Sequence, residues 1–118
     1  MKQGNLVKDK SFAFAIRAVK LYKILCDERK EYVLSKQMMR SATAIGALVR
    51  ESEHAQSKAD FINKLSIALK EANETEYWLM LLNQTDYITD NEFDSIITNC
   101  KELLRLLISI IKTTKENG

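Results

Sequence analysis

The sequence predicts an all-α protein, an antiparallel up-down-up-down four-helix bundle formed by a single domain over residues 1–118. The chain contains no Pro and three Gly, so few strong helix breakers interrupt it. Apolar residues recur three and four positions apart in four segments. Short polar connections separate these segments, which favours antiparallel neighbours. The predicted helices cover residues of about 8–29, 35–54, 58–83 and 90–114, and residues 1–7 and 115–118 are expected to fray.

The first helix carries two neighbouring apolar stripes, which together are wider than one packing seam requires. We therefore expect this helix to have two buried contacts, either within the fold or with another subunit. The stripes consist of Phe12, Ala15, Val19, Tyr22 and Cys26, and of Phe14, Ala18, Leu21 and Leu25.

Ser35 is the expected N-cap of the second helix, because its hydroxyl can accept a hydrogen bond from a free backbone N–H. The centre of this helix is rich in small residues and includes Gly46. A glycine inside a helix costs roughly 1 kcal/mol relative to alanine. Its presence indicates that another helix backbone passes close by, and a merely tolerated glycine is the alternative.

The third helix starts at Ser57 and Asp60, which resemble a capping box, although Glu or Gln is the usual third residue. If the second and third helices form a hairpin, Arg40 lies near Glu71 and Glu74. We expect an ion pair between these helices, and a partly buried pair would help to fix their register. Paired carboxylates can also act as acid and base in a pocket, but ion pairing is the commoner arrangement.

The fourth helix starts with a capping box at Thr89 and Glu92. Its apolar residues form two adjacent stripes, which is more apolar arc than one seam needs. The regular spacing also allows an alternative fold, a long coiled-coil dimer. The caps and the distinct patterns of the four helices favour the bundle.

The composition is typical of a soluble globular protein, with 46% hydrophobic and 29% charged residues. The N-terminus lacks the apolar segment of a signal peptide, and the longest apolar run, residues 106–111, is too short to span a bilayer. Cys26 and Cys100 each lie on an apolar helical stripe, which favours buried free thiols over a disulfide. We therefore expect a cytoplasmic protein that does not contact a membrane.

The formal net charge of +2 does not by itself indicate a nucleic-acid partner. The charge is unevenly distributed, because residues 1–26 carry six basic side chains and one acid, whereas residues 51–80 carry six acids and three lysines. A basic first helix that faces an acidic third helix explains this distribution without any partner.

No arrangement of residues in the sequence points to catalysis. His54 lies near Glu51, Glu53 and Asp60 but lacks the spacing of a metal site, so a solvated turn explains it better. No Gly-rich phosphate loop and no Cys–His or Ser–His–Asp set can be assembled. We predict that the protein is not an enzyme and uses no metal, cofactor or small-molecule substrate.

The second and third helices carry a family signature. Residues 35–47 read Ser-Lys-Gln-Met-Met-Arg-Ser-Ala-Thr-Ala-Ile-Gly-Ala, which follows the pattern Ser-x-Gln-Leu-x-Arg-Ser-x-x-Ser-Ile-x-Ala. Residues 55–61 and 65–75 extend the match through Tyr77-Trp78-Leu79. This signature resembles the bacterial four-helix-bundle proteins of the 23S rRNA-intervening sequence protein family. The chain departs from the pattern at Leu48, where an Asn usually follows Gly-Ala.

The resemblance implies a cytoplasmic four-helix bundle without known catalytic activity that assembles as a ring-like homopentamer. A related branch, the accessory variability proteins of diversity-generating retroelements, is similar in fold and binds nucleic acid and a reverse transcriptase through basic surface. At Leu48 a polar contact made by the Asn of relatives would be missing.

Two functional hypotheses follow: an oligomeric scaffold or adaptor for a protein partner, and an RNA or DNA binder. The surplus apolar arcs of helices one and four predict a homo-oligomer. Basic faces would contact phosphates without reading sequence, and a ring would add weak sites through multivalency. Solvated faces without a partner explain the same charges. The candidate nucleic-acid contacts are Lys10, Arg17, Lys20, Lys23, Lys101, Arg105 and Lys112, and the candidate packing and register residues are Arg40, Gly46, Glu71 and Glu74.

Overall fold

The computed structural model describes residues 2–117 and places four α-helices within them. The helices are α1 (Lys2–Asp27), α2 (Leu34–Ser52), α3 (Lys58–Gln84) and α4 (Asp90–Glu116). They form an elongated bundle of 48 × 21 × 19 Å. The predicted all-α four-helix fold is therefore confirmed, and the helices pack on one another instead of forming a long coiled-coil dimer.

Each helix packs against its neighbours in the chain, and α4 closes the bundle by packing against α1. The contacts between α2 and α3 show the antiparallel arrangement. In the first half of α2, Ser41 accepts a hydrogen bond from Thr75 (2.8 Å), and near the end of α2 Glu51 lies 3.9 Å from Lys64. Later residues of α2 therefore contact earlier residues of α3, so the two helices are antiparallel.

The core is a continuous column of apolar side chains contributed by all four helices. Aliphatic residues occupy most of it, and Phe14 is the fully buried aromatic side chain among the described residues. No buried side-chain nitrogen or oxygen atom within residues 2–117 lacks a hydrogen-bond partner. The largest fully buried apolar residues are Phe14, Leu25, Met38, Ile45, Leu65, Leu79, Leu82, Leu103, Leu107 and Ile110.

The first helix begins at Lys2, six residues before the predicted start and within the segment expected to fray. Two contacts explain this difference. Val7 is buried against the core, and the Gln3 amide donates a hydrogen bond to the hydroxyl of Ser109 on α4 (3.1 Å). The local sequence is polar, so its helical state depends on contacts with a helix at the other end of the chain.

The second helix is capped by Glu31, and the predicted N-cap role of Ser35 is wrong. Ser35 lies inside the first turn, is fully buried, and donates its hydroxyl to the backbone oxygen of Glu31 (2.8 Å). The Glu31 carboxylate accepts hydrogen bonds from the backbone N–H groups of Val33 (3.1 Å), Leu34 (3.0 Å) and Ser35 (2.6 Å). A carboxylate can satisfy several free N–H groups at once, which a single hydroxyl cannot.

The third and fourth helices are capped by the predicted hydroxyls. Ser57 accepts from the backbone N–H of Asp60 (3.0 Å), and the Asp60 carboxylate accepts from Gln56 (3.2 Å). At α4, Thr89 accepts from Glu92 (3.1 Å), and Glu92 accepts from the Thr89 backbone (2.8 Å), so the predicted capping box is confirmed.

The α3–α4 connection ends α3 in a Schellman motif. The N–H of Tyr87 donates to the oxygen of Leu82 (2.9 Å), and the N–H of Asp86 donates to Asn83 (3.1 Å). Asp86 occupies the left-handed position of the motif, with φ of 69°. Glycine is the usual residue at that position, so an aspartate there carries backbone strain.

Candidate functional surfaces

The α1–α2 contact places a glycine against a helix backbone. A Cβ atom built on Gly46 would lie 3.3 Å from the backbone oxygen of Ser11, which is tighter than ordinary van der Waals contact. Small residues near Gly46 leave an open groove of about 420 Å³ between the two helices. Its lining residues are Lys8, Asp9, Phe12, Ala15, Thr43, Gly46, Ala47 and Arg50.

The two apolar stripes of α1 are buried to different degrees, although Tyr22 of the stripe that contains Phe12 also packs against the core. Phe14, Ala18 and Leu25 are buried, whereas Phe12 in the other stripe is 65% exposed at the edge of the α1–α2 groove. Ile16, one turn further along, is 42% exposed. The fold therefore leaves an aromatic and an aliphatic side chain uncovered on the outer side of α1.

Two of the seven predicted nucleic-acid contacts are engaged inside the fold, where they join α1 to α4. Lys10 forms an ion pair with Glu102 (3.1 Å). Arg17 donates to the Ser95 hydroxyl (2.9 Å) and to the side-chain oxygen of Asn99. Both cations are half-buried. A polyanion would have to compete with these partners for both side chains.

The other five predicted cations are exposed, and none of them forms an ion pair within residues 2–117. Lys20 and Lys23 lie on α1. Lys101, Arg105 and Lys112 lie on one side of α4, where Ile108, at 52% exposure, stands between Arg105 and Lys112. The α4 row is therefore a mixed cationic and apolar surface.

Arg40 bridges α2 and α3, as the hairpin geometry predicts. Its guanidinium lies 2.8 Å from Glu74 and 3.7 Å from Glu71, and Trp78 also donates its ring N–H to Glu74 (3.2 Å). The Arg40 side chain is 54% exposed, so the ion pairs contribute only about 0–1 kcal/mol. Their role in fixing the helix register stays a prediction.

The two carboxylates beside Arg40 have pKa values shifted in opposite directions. Burial, followed by the hydrogen bond and negative charge of Glu74, raises the pKa of Glu71 above its usual value. The hydrogen bond from Trp78, with Arg40 nearby, lowers the pKa of Glu74. An ion-pair cluster on the protein surface therefore accounts for both pKa shifts. The shifts do not require that the two carboxylates act as acid and base on a substrate.

The remaining sequence candidates occupy ordinary structural positions. Both cysteines are free thiols, and burial raises the pKa of Cys100 to about 12, with a smaller contribution from Glu76. His54 is exposed. The described part of the chain contains no group of three or more His, Cys, Asp or Glu that could hold a metal ion. From Lys2 to Asn117, no helix has the length and apolar content to cross a membrane.

Sequence reasoning missed a two-pronged ion pair at one end of the bundle, where α1 ends and α4 begins. Arg29 makes a two-pronged contact with Glu92 (2.9 and 2.7 Å) and also donates to the backbone oxygen of Tyr87 (2.7 Å). No local pattern could identify this pair, because its members lie 63 positions apart. The contacts of Lys10 and Arg17 with α4 did have a signal in the sequence. Their partners Ser95, Asn99 and Glu102 recur three and four positions apart and form a polar stripe on α4.

The structure therefore defines an all-helical bundle protein. Its surface is distinguished by exposed apolar and basic side chains and by shallow grooves between helices. The family model of the 23S rRNA-intervening sequence protein matches residues 3–109, and the chain belongs to this family. A crystal structure from Bacteroides thetaiotaomicron VPI-5482, at 1.70 Å resolution, is similar and is described as a protein of unknown function from the S23 ribosomal protein family. It is 63% identical, with a TM-score of 0.92, over 93% of this chain and 98% of that chain. No curated protein matches the chain.

Proposed function

We propose that the protein is a non-catalytic scaffold that self-assembles through the outer side of α1, as the homopentamer that the family resemblance implies. The exposure of Phe12 carries this proposal. Phe12 is 65% exposed, although its helix packs against the core. Most of the free energy that burial of this ring can provide is therefore still available for a contact with another chain. Aromatic side chains are also enriched at the centres of protein interfaces.

The α1–α2 groove supplies a recess beside this side chain. Ala15, Gly46 and Ala47 leave space that larger residues would fill, and Ile16 extends the apolar area along α1. A flat helix face with one projecting ring and one recess is suited to interdigitation with another helix surface. A five-membered ring is a head-to-tail assembly, so the α1 face would meet a different patch on the next copy.

Light scattering tests the proposed assembly. A pentamer of 13.6 kDa chains has a mass of about 68 kDa, and Phe12→Ser should shift the mass toward that of one chain. Tyr77→Ser is the matched control, because Tyr77 is a similarly exposed aromatic residue (58%) on α3. A wild-type mass near 13.6 kDa would refute self-assembly. An unchanged mass for Phe12→Ser would refute the proposed face.

Nucleic-acid binding is the second candidate function, and the five exposed cations favour it. Lys20, Lys23, Lys101, Arg105 and Lys112 are available to phosphate groups, whereas Lys10 and Arg17 are engaged within the fold. A branch related to the family that the chain resembles, the accessory variability proteins of diversity-generating retroelements, binds nucleic acid through basic surface, which favours the same candidate. Such contacts would fix the position of a nucleic acid without selecting its sequence.

Salt dependence tests this second candidate. Phosphate contacts should give an affinity for duplex DNA that falls with salt by about 0.9 logarithmic units per contact. The double variant Lys20→Glu/Lys23→Glu should weaken binding and flatten the slope. Lys58→Glu, which changes an exposed lysine at the start of α3, should leave both unchanged. Absence of binding at low salt would remove the candidate.

The proposed compartment is the cytoplasm. Cys26 and Cys100 are both free thiols, and free thiols persist in a reducing environment. Fractionation of cells that express the protein at its natural level would test this, and recovery from an extracytoplasmic fraction would contradict it.

A further inference from the structure

A groove between α3 and α4 lies apart from the α1 face. It has an open volume of about 340 Å³. Leu69 of α3 and Ile108 and Ile111 of α4 supply its apolar surface, and Ile108 is 52% exposed. The remaining lining residues, Lys112, Lys115 and Glu116, lie toward the end of α4. The fold thus leaves aliphatic surface uncovered beside charged side chains.

Cations continue along this side of α4 beyond the groove. Arg105 lies three residues before Ile108 and Lys112 four residues after it, so the three side chains share one helix face. Arg105, Lys112 and Lys115 are exposed and form no ion pair within residues 2–117. Glu116 is the acidic member of the lining, so cations outnumber acids around the apolar strip.

We propose that the α3–α4 groove binds an acidic amphipathic helix of a protein partner. This inference rests on the proposed scaffold function and names the class of partner. The apolar face of the helix would cover Ile108, Leu69 and Ile111, and its carboxylates would lie against Arg105, Lys112 and Lys115. From residue 105 to residue 115 the α4 surface extends about 15 Å, which corresponds to nearly three turns of a docked helix.

The apolar strip favours a protein helix over a nucleic acid. A phosphate backbone would pair with Arg105 and Lys112 but would gain nothing by covering Ile108. Single-stranded nucleic acids usually stack their bases on aromatic side chains, and none of the groove residues is aromatic. An acidic amphipathic helix matches both the aliphatic strip and the positive charge around it.

A designed peptide provides the test. The probe is a labelled synthetic helix of about 15 residues, with leucines at helical spacing on one face and glutamates elsewhere. Fluorescence anisotropy should detect its binding to the full chain. Ile108→Ser and Lys112→Glu/Lys115→Glu should each weaken binding by about tenfold, because one loses apolar contact and the other reverses the charge. A peptide with lysines in place of the glutamates should not bind.

Matched controls separate the groove from general surface effects. Ile67→Ser changes another exposed isoleucine, on α3, and Lys36→Glu changes an exposed lysine on α2, so both variants should bind the peptide like the wild type. Absence of binding by the glutamate peptide, or equal weakening by the controls, would overturn the proposal. Displacement of the peptide by duplex RNA whose own affinity is insensitive to Ile108→Ser would also overturn it, in favour of a nucleic-acid site.

Mass measurements on the same variants distinguish this proposal from the scaffold proposal. Ile108→Ser should keep the mass of the wild-type assembly, and a reduced mass would show that the groove is a contact between subunits. Phe12→Ser should still bind the peptide, because Phe12 lies in the α1–α2 groove. If the wild-type chain is oligomeric but does not bind the peptide, only the proposed partner is refuted. If the wild-type chain binds the peptide but is monomeric, only self-assembly is refuted.

Discussion

Gly46 determines how closely α1 and α2 can approach. Its missing Cβ faces the backbone oxygen of Ser11, and backbone cannot rotate aside as a side chain can. The close contact between the two helices therefore compensates for the lower helix propensity of glycine. The same missing side chain keeps the α1–α2 groove open beside Phe12.

Substitution of Gly46 tests this close approach. Gly46→Leu should lower the free energy of unfolding by about 1–3 kcal/mol, because its side chain must push α1 away. Gly46→Ala should be nearly neutral, since a gain of about 1 kcal/mol in helix propensity offsets the tight Cβ contact. Urea denaturation would measure both variants. An unchanged stability for Gly46→Leu would mean that the α1–α2 contact yields easily at this point.

At the scale of the element, the helix ends show how each helix is started and stopped. The cap of α2 comes from the turn before it, where the Glu31 carboxylate holds three backbone N–H groups. Burial alone would raise the pKa of Glu31, but these hydrogen bonds lower it below its usual value. The charged form is therefore the one that stabilises the start of α2.

Glu31→Gln should lower the free energy of unfolding by about 2 kcal/mol at neutral pH. The amide loses the negative charge near the helix N-terminus and presents an NH₂ group to backbone donors. Glu28→Gln, which changes an exposed acid in the same turn, is the matched control and should have little effect. Equal stability of the two variants in urea denaturation would contradict a capping role for Glu31.

The end of α3 offers a stabilising substitution. Asp86 has φ of 69°, a conformation that glycine adopts without a Cβ clash. Asp86→Gly should raise the free energy of unfolding by about 0.5–1 kcal/mol, and Asp86→Ala should not. Thermal unfolding followed by circular dichroism would measure both variants. A lower melting temperature for Asp86→Gly than for the wild type would show that contacts of the aspartate outweigh the backbone strain.

At the scale of the whole molecule, α4 makes polar contacts with α1 and with the connection that follows α1, and these contacts close the bundle along its length. They run from Gln3–Ser109 through Lys10–Glu102 to Arg29–Glu92. The hydrogen bonds from Arg29, followed by that from the Thr89 backbone, lower the pKa of Glu92 from 4.5 to about 2. The Glu92 carboxylate thus stabilises the closed bundle only in its charged form.

The stability of the bundle should fall on acidification through the range set by Glu92. A depressed carboxyl pKa stabilises the fold fully above pH 4.5, and the contribution is lost as the pH falls toward about 2. Both side chains are about one-third exposed, so screening limits the contribution to about 1–2 kcal/mol. Calorimetry across this range should show that Glu92→Gln removes this part of the pH dependence while Gln retains a capping side chain.

Asp94→Asn is the matched control for this pH profile, because Asp94 is an exposed acid on α4 without an ion pair in the part of the chain that the structure describes. Its profile should follow that of the wild type. If Glu92→Gln and the wild type lost stability in parallel between pH 4.5 and 2, the Arg29–Glu92 pair would not contribute to closure.

Much of the fold could be predicted because its signals are local. Three- and four-residue apolar spacing marked all four helices, and the hydroxyl caps Ser57 and Thr89 marked two of their starts. The start of α1 and the cap of α2 were predicted wrongly. The start of α1 depends on a distant partner, Ser109. The cap of α2 is local, but it comes from the Glu31 side chain before the helix and not from the hydroxyl of Ser35.

The candidate surfaces could be predicted only as sets of residue types. The sequence listed seven cations as equivalent, and it could not distinguish Lys10 and Arg17, which bind α4, from the five that remain exposed. Likewise, two apolar stripes on α1 looked equally suited to burial. Which stripe faces the core depends on where α2 and α4 pack.

The sequence by itself determined that this chain forms four consecutive amphipathic helices joined by short loops. Helix periodicity and capping act between residues a few positions apart, so both can be read from the sequence. Only the tertiary structure decided that Phe12 and Ile108 remain outside and that Arg29 reaches Glu92. The exposure of a side chain and the ion pairs between helices depend on how each helix is rotated about its axis and how far it lies from its neighbours. The spacing of residues within one helix does not determine either quantity. For this member of the 23S rRNA-intervening sequence protein family, the functional question therefore lies in its uncovered faces.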